Sequence, residues 1–473
     1  MPMLWSCQKD LSCETCNLSS TVAINLPPIA KAGTTQSLPS GTASTILSAK
    51  GSYDPDGYIV SFSWKQLSGA TSLIVNPSDS ITSVNNLSAG VYLYELKVTD
   101  NKSAIGRDTI KLSIDTATLP IDSSCNLSAR PTVSAQLLPF HQLSTAGGRE
   151  GRQVGNKLLF FSIDGTYEGY RQQIEVFDIT TNTWSSISQP NSYAHRAIAV
   201  LGNKIFIAGG NDGWGVSTSE IDIYDATTNV WSTAKLSKAR TNACAVSVGS
   251  KLVIAGGQTQ GGGFPGMSDV DIYDAATNTW SVAQLSEPRT DIKGVVIGNK
   301  AYFCGGSNAG WGGATISKKV EVYDASANTW AVPTNLQMSQ ERIRHTAIAV
   351  DNVIYLAGGA NQGNNLLNSI EMINVSSGVK KFSCLSIARM NFGVVKKNNE
   401  LIFLSGYANP GSMAGSDALD IYNITTDKWT IGKLPFPIRH YSYNTINSEI
   451  IVAGGYTDFT VAGEQNRVWK LLW

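Results

Sequence analysis

The feature that most constrains this chain is its self-similarity. Strings of three or four apolar residues run into a Gly-Gly pair that ends at Gly210, Gly257, Gly306, Gly359 and Gly455, and weaker copies stand around Ser162 and Ser405. The first glycine of each pair, or the serine in its place, falls at 162, 209, 256, 305, 358, 405 and 454. A fixed period near 50 residues describes one supersecondary unit that cannot bury its own face and must stack on its neighbours, which predicts a propeller or a solenoid.

Downstream of each pair a second run ends in an aromatic, and a tryptophan follows seven residues later: Phe177/Trp184, Tyr224/Trp231, Tyr273/Trp280, Tyr323/Trp330 and Tyr422/Trp429. The copy around residues 371–382 has lost both. Gly-Gly, Tyr and Trp at this spacing resemble the kelch repeat over residues 132–473. The resemblance implies a β-propeller of the galactose-oxidase-like superfamily and, by itself, no particular function. Each unit reads as four strands, such as an inner strand at 197–201 followed by the Gly-Gly strand, the Tyr strand and an outer strand. The last unit stops at Trp473 without its fourth strand. Residues 134–140 align with 430–436, an outer strand, so they are expected to close the ring and leave no open edge. The expectation is seven blades.

Residues 25–115 have a different rhythm, alternating apolar and polar in short runs broken by turn formers, as an antiparallel sandwich requires. Pro27-Pro28, Ser52-Tyr53-Asp54-Pro55-Asp56-Gly57, Trp64, Ala89-Gly90 and Val98-Thr99-Asp100-Asn101 resemble the PKD family of immunoglobulin-like domains. That resemblance implies an extracellular spacer. Trp64, alternating with Phe62, is expected in the core. Asp-Pro-Asp-Gly reads as a tight turn in which Gly57 supplies a positive φ. Asp54, Asp56 and Asp100 are calcium candidates if their loops meet, with turn capping as the plainer role. Residues 116–131 read as a linker and 1–24 as an N-terminal tether. The fold class is therefore all-β, a sandwich followed by a propeller.

Of the seven cysteines, Cys244, Cys304 and Cys384 lie in the repeats and read as core packing. Outside them, Cys-Asn-Leu-Ser recurs at 16–19 and 125–128, which allows either a Cys16–Cys125 bridge or a local Cys13–Cys16 pair. Either implies an oxidising compartment. Cys7, after Met3-Leu4-Trp5-Ser6, resembles the end of a bacterial lipoprotein signal, although Trp5 is bulky and the apolar stretch short. Lipid attachment at Cys7 and a plain thiol both stand. The whole arrangement resembles bacterial surface lipoproteins.

Lys plus Arg (36) equals Asp plus Glu (36), and no basic run offers the face that nucleic acid needs. No apolar stretch of about 18 residues could form a membrane-spanning helix. A ligand is therefore sought on the propeller, where the loops before the inner strands and after Gly-Gly share one face. Fourteen residues before the first glycine stand His195, Asn242, Asp291, Arg344, Asn391 and His440, and sixteen before it Arg240, Arg289, Arg342 and Arg389. The loops after Gly-Gly add Asn211, Asp212, Trp214, Phe264, Asn308, Trp311, Asn361, Tyr456, Asp458 and Phe459. Arg, His, Asn and flat aromatics suit a sugar or a carboxylate, while Arg at the head of an inner strand can equally bond blade carbonyls as scaffold. Trp214 and Trp311, in glycine-rich loops, are the first choices for stacking. No motif asks for a cofactor. The expected role is binding or adhesion outside the cell, to a carbohydrate or surface protein. The enzyme alternatives are a sugar mutarotase or epimerase using Asp291 with His195 or His440, and a copper-radical oxidase needing a Tyr-Cys bond.

Overall fold

The computed structural model describes residues 25–38, 44–87, 90–114, 125, 127, 130–144, 149–162, 173–191, 193–212, 215–259, 265–310, 314–409, 415–457 and 465–473. Cys7, Cys13, Cys16, Trp214, Phe264, Trp311, Asp458 and Phe459 lie outside them. The chain divides into two compact units, 1–117 and 118–473.

The first unit is a sandwich. Gln36–Leu38, Ile105–Ile114, Gly90–Asp100 and Ile59–Ser68 make one sheet, and Ser44–Ser48, Ile81–Asn85 and Leu73–Ile74 the other. Strand alternation puts Tyr92, Tyr94, Leu96 and Val98 fully inside. Trp64 is buried as expected, its indole Nε1 donating to the Asp79 carbonyl at 3.1 Å, and Phe62 packs at the edge of the same core. Gly57 corrects one expectation, since it is not among the residues with positive φ. The need for glycine there is steric: a Cβ would stand 2.2 Å from Asn101 Oδ1 and 2.5 Å from Asp54 Oδ2.

Among the described residues the second unit forms seven sheets, each running from an inner strand outward. The inner strands are Arg149–Val154, Ala197–Leu201, Cys244–Val248, Lys293–Ile297, Thr346–Val350, Gly393–Lys397 and Ser442–Ile446, and we number the blades one to seven in this order. Neighbouring inner strands lie side by side, and the first lies beside the last, so the ring is closed. In each glycine pair among the described residues both members have positive φ, and a Cβ on Gly209, Gly256, Gly305 or Gly358 would stand 2.3 to 2.6 Å from the carbonyl oxygen of Arg240, Arg289, Arg342 or Arg389. That backbone contact between blades is why the pair recurs. The aromatic pairs face one another directly across strands three and four, with ring centroids 4.8 to 5.1 Å apart.

Blade seven takes its outer strand from the front of the unit. Gln136–Gln142 pairs antiparallel with Arg467–Leu472, Leu138 opposite Lys470. The corresponding pair in blade six is Thr430 opposite Ile421, so the closing strand sits four residues further along the chain than the alignment of 134 with 430 placed it. The reason is a second use of this segment. Thr132–Ser134 runs parallel to Lys428–Ile438 as a fifth strand of blade six, Thr132 opposite Ile431.

Two cysteine expectations change with this packing. Cys125 is bridged to Cys384 of blade five, with Cα atoms 5.6 Å apart, so Cys384 is not simply core and Cys125 is not available to Cys16. The end of the expected 116–131 linker is likewise docked. Arg130 is buried, donates to the Cys384 carbonyl at 2.8 Å, approaches Asp420 at 3.7 Å and stacks over Trp429. Cys304 is buried as core, and Cys244 is half-buried on the channel wall.

Candidate functional site

Where blades are rigid and similar, the residues that differ at equivalent positions carry any chemistry. Fourteen residues before the first glycine, His195, Asn242, Asp291, Arg344, Asn391 and His440 all adopt the left-handed conformation, φ between 51° and 55°. In blade one the sequence supplies Gly148 there. Asn, Asp and His tolerate this region, but Arg344 pays in strain for its place on the rim. Backbone bonds hold it: the Asn242 N–H donates to the His195 carbonyl at 3.1 Å, Asn391 to Arg344 at 2.9 Å, and Arg149 to His440 at 3.0 Å. The six residues line one channel of about 960 Å³. The structure thus brings together every rim residue expected at this position.

The other arginine row is not on the rim. Arg240, Arg289, Arg342 and Arg389 are at most 1 % exposed. Arg240 meets Asp271 at 2.6 Å, Arg289 meets Glu321 at 2.5 Å and Arg389 meets Asp420 at 2.7 Å. Arg342 donates to the Gly358 and Ser369 carbonyls at 2.8 and 3.1 Å. For Arg240, Arg289 and Arg389 the cause is a buried acid two residues before the strand-three aromatic, which must be compensated. Asp222 finds its partner in Arg196 at 2.6 Å. These four arginines are scaffold, joining each blade to the loop that enters it.

Sequence comparison overlooked the next ring. Two residues inward of the rim, twelve before the first glycine, stand Glu150, Ala197, Cys244, Lys293, Thr346, Gly393 and Ser442. All but Ser442 line the channel. Aligning the repeats at that offset finds them, because strand alternation returns the side chain to the axis every second residue. Glu150 pairs with Arg152, and Asp291 approaches Arg344 at 3.9 Å. Lys293 has no carboxylate partner among the described residues. The wall therefore has a surplus of positive charge. At the junction of blades six and seven, Tyr407 Oη shares a hydrogen with His440 Nε2 at 2.8 Å and accepts from Arg439 at 3.2 Å. Arg439 lies over the rings of Tyr407 and Tyr456. Cys244 Sγ faces Gly294, and burial pushes its thiol up to about 11 and that of Cys304 to about 12, so both stay protonated at neutral pH.

Between these rings His345 is fully buried, and neither ring nitrogen has a hydrogen-bond partner among the described residues. Burial, with Arg342 and Lys293 adding to it, holds its pKa well below the ordinary value. The folded protein keeps the ring neutral while the unfolded chain takes a proton below about pH 6.5, so this contribution to stability is present above that pH and lost below it. We expect wild type to lose up to about 1.4 kcal/mol per pH unit between pH 6.5 and 5 relative to His345→Leu. Half-buried His141, whose pKa desolvation also lowers, acts in the same sense in both proteins and cancels. Parallel stability profiles from urea melts would contradict the assignment.

In the sandwich, Asp54, Asp56 and Asp100 are drawn around Lys102. Lys102 Nζ meets Asp56 at 2.8 Å, while Asp100 accepts from the Lys102 and Ala104 N–H groups at 2.8 Å and from Asn25 Nδ2 at 2.7 Å. Asp56 and Asp100 thus cap turns and hold an ammonium group, and Asp54 lies against Gly57.

These features define an all-β protein in which a sandwich precedes a seven-bladed propeller with a charged channel mouth. Residues 148–359 match the model described as KLHDC2/KLHL20/DRC7 Kelch-repeats domain, 341–379 match the Kelch motif, and 32–114 match the K319L-like, PKD domain. The chain is a PKD-like domain followed by a kelch propeller. No curated protein matches it. One solved structure, "Structure of YjhT", is 15% identical and aligns over 60% of this chain and 94% of its own, with a TM-score of 0.45.

Proposed function

We propose that this protein is a binding protein of the cell exterior, in which the kelch face takes an anionic carbohydrate or protein group at the channel mouth and the PKD-like domain serves as spacer. The observation that carries the reading is the ring of six left-handed rim residues around a channel whose inner ring holds Lys293 without a counter-charge. Guanidinium and ammonium groups converging in a partly enclosed site suit a carboxylate or sulfate. The Cys125–Cys384 bridge supports an oxidising compartment, as exported proteins have. Lipid attachment at Cys7 would add a tether, and Trp214 and Trp311 would add stacking faces. A second reading, acid–base chemistry on a sugar, is favoured by the Tyr407–His440 hydrogen bond rather than by Asp291, which faces Arg344.

The test is a glycan array with neutral, carboxylated and sulfated members. We expect acidic glycans to be retained, and Arg344→Ala or Lys293→Ala to weaken them at least tenfold with a loss that shrinks as salt rises. Salt-insensitive retention of neutral glycans by both variants would overturn the anionic reading.

A further inference from the structure

Beside the channel, between blades four and five, lies a second cavity of about 230 Å³. Its apolar lining is Ala314, Ile316, Ile343, Ala360 and Met390, and Asn361, Gln362 and Asn364 line it as well. Gln362 bridges two loops, donating to the Ala314 carbonyl and accepting from the Ile316 N–H, both at 2.7 Å, which fixes the wall it forms. The backbones of Ile343 and Ala360 exchange hydrogen bonds at 2.9 and 3.0 Å and fix another. Gly310, Arg344 and Met390 line both this cavity and the channel, so the two spaces adjoin at Arg344.

From this junction we infer that the site takes an organic carboxylate with an apolar arm, the acid held by Arg344 and Lys293 and the arm lodged in the side cavity. The inference rests on the anionic reading of the channel mouth and adds the second half of the ligand. Each methylene moved from water onto the apolar part of this lining stabilises the complex. The channel alone would bind small and large anions alike. The cavity makes arm length a determinant.

Straight-chain carboxylates from acetate to octanoate, titrated calorimetrically into the full chain, test this. Affinity should rise about fourfold per methylene, from about 0.8 kcal/mol each, until the cavity is full and then level off. Ala314→Phe should bring the plateau to a shorter chain and Ile343→Ala move it to a longer one, and opposite shifts cannot come from misfolding. Arg344→Gln should weaken every member about tenfold without moving the plateau. Carboxylate binding with no dependence on chain length would overturn the side-cavity assignment and leave the channel reading intact. Absence of binding by all members, with acidic glycans still retained on the array, would also overturn it, and absence of both would remove the anionic reading as well.

Discussion

Removal of residues 1–142 will lower the melting temperature of the propeller by about 10 °C or more, and removal of residues 1–117 will leave it unchanged. The shorter cut falls at the division between the two units. The longer one deletes Gln136–Gln142 and leaves Arg467–Leu472 as an open edge, exposing Val468, Trp469 and Leu471, each at most 3 % exposed in the closed ring. Such an edge also invites association between molecules. An intermediate cut, 1–131, separates the closing strand from the Cys125–Cys384 bridge and Arg130, and should fall between the other two. Scanning calorimetry of the three truncated chains decides the matter. Equal melting temperatures for the 1–117 and 1–142 deletions would show that blade seven holds together on three strands.

The second large effect concerns Asp420. Its carboxylate receives Arg389 at 2.7 Å and the Ser386 N–H and hydroxyl at 2.8 and 3.0 Å, with Arg130 at 3.7 Å, and it is fully buried. Asp420→Ala leaves buried guanidinium groups uncompensated and should cost about 3 to 5 kcal/mol. Asp417→Ala, which breaks an exposed pair with Lys433, should cost less than about 1 kcal/mol. Combining Asp420→Leu with Arg389→Met should recover much of the loss, since well-packed apolar residues often replace a buried pair without penalty. Denaturant melts measure all three. A cost for Asp420→Ala as small as that for Asp417→Ala would mean that the ion pair does not join blade and loop.

The architecture was legible because the repeat writes its sterics into the sequence: Gly-Gly where a neighbouring carbonyl leaves no room for a Cβ, Tyr and Trp where two strands stack. The rim was legible for the same reason, since position relative to Gly209 or Gly256 fixes place around the channel. What the sequence concealed was burial. Arg240 and Arg344 stand two offsets apart and look alike as letters, but Arg240 is turned into the blade to meet Asp271, while Arg344, in the left-handed conformation, lines the channel. The acids that decide this lie about 30 residues away, on strand three. Lys293 was passed over because its counterparts run from Glu150 to Gly393, so that row shows no recurring residue type. The Cys125–Cys384 bridge spans 259 residues, and no local spacing announces it. The closing strand was found by its likeness to another outer strand, yet its register was displaced because residues 132–134 serve blade six.

Closure by a strand from the front sets an order of events during synthesis. Residues 136–142 leave the ribosome before blade one, but their partner, 467–472, leaves after the other strands of the ring. At translation rates of about 5 to 20 residues per second, the early strand waits on the order of tens of seconds without its sheet. Cys125 waits likewise for Cys384. Throughout that interval blade one can form while the ring cannot close, and the nascent chain carries an unpaired strand at its front. Its protection until residues 467–472 emerge is a requirement built into the topology.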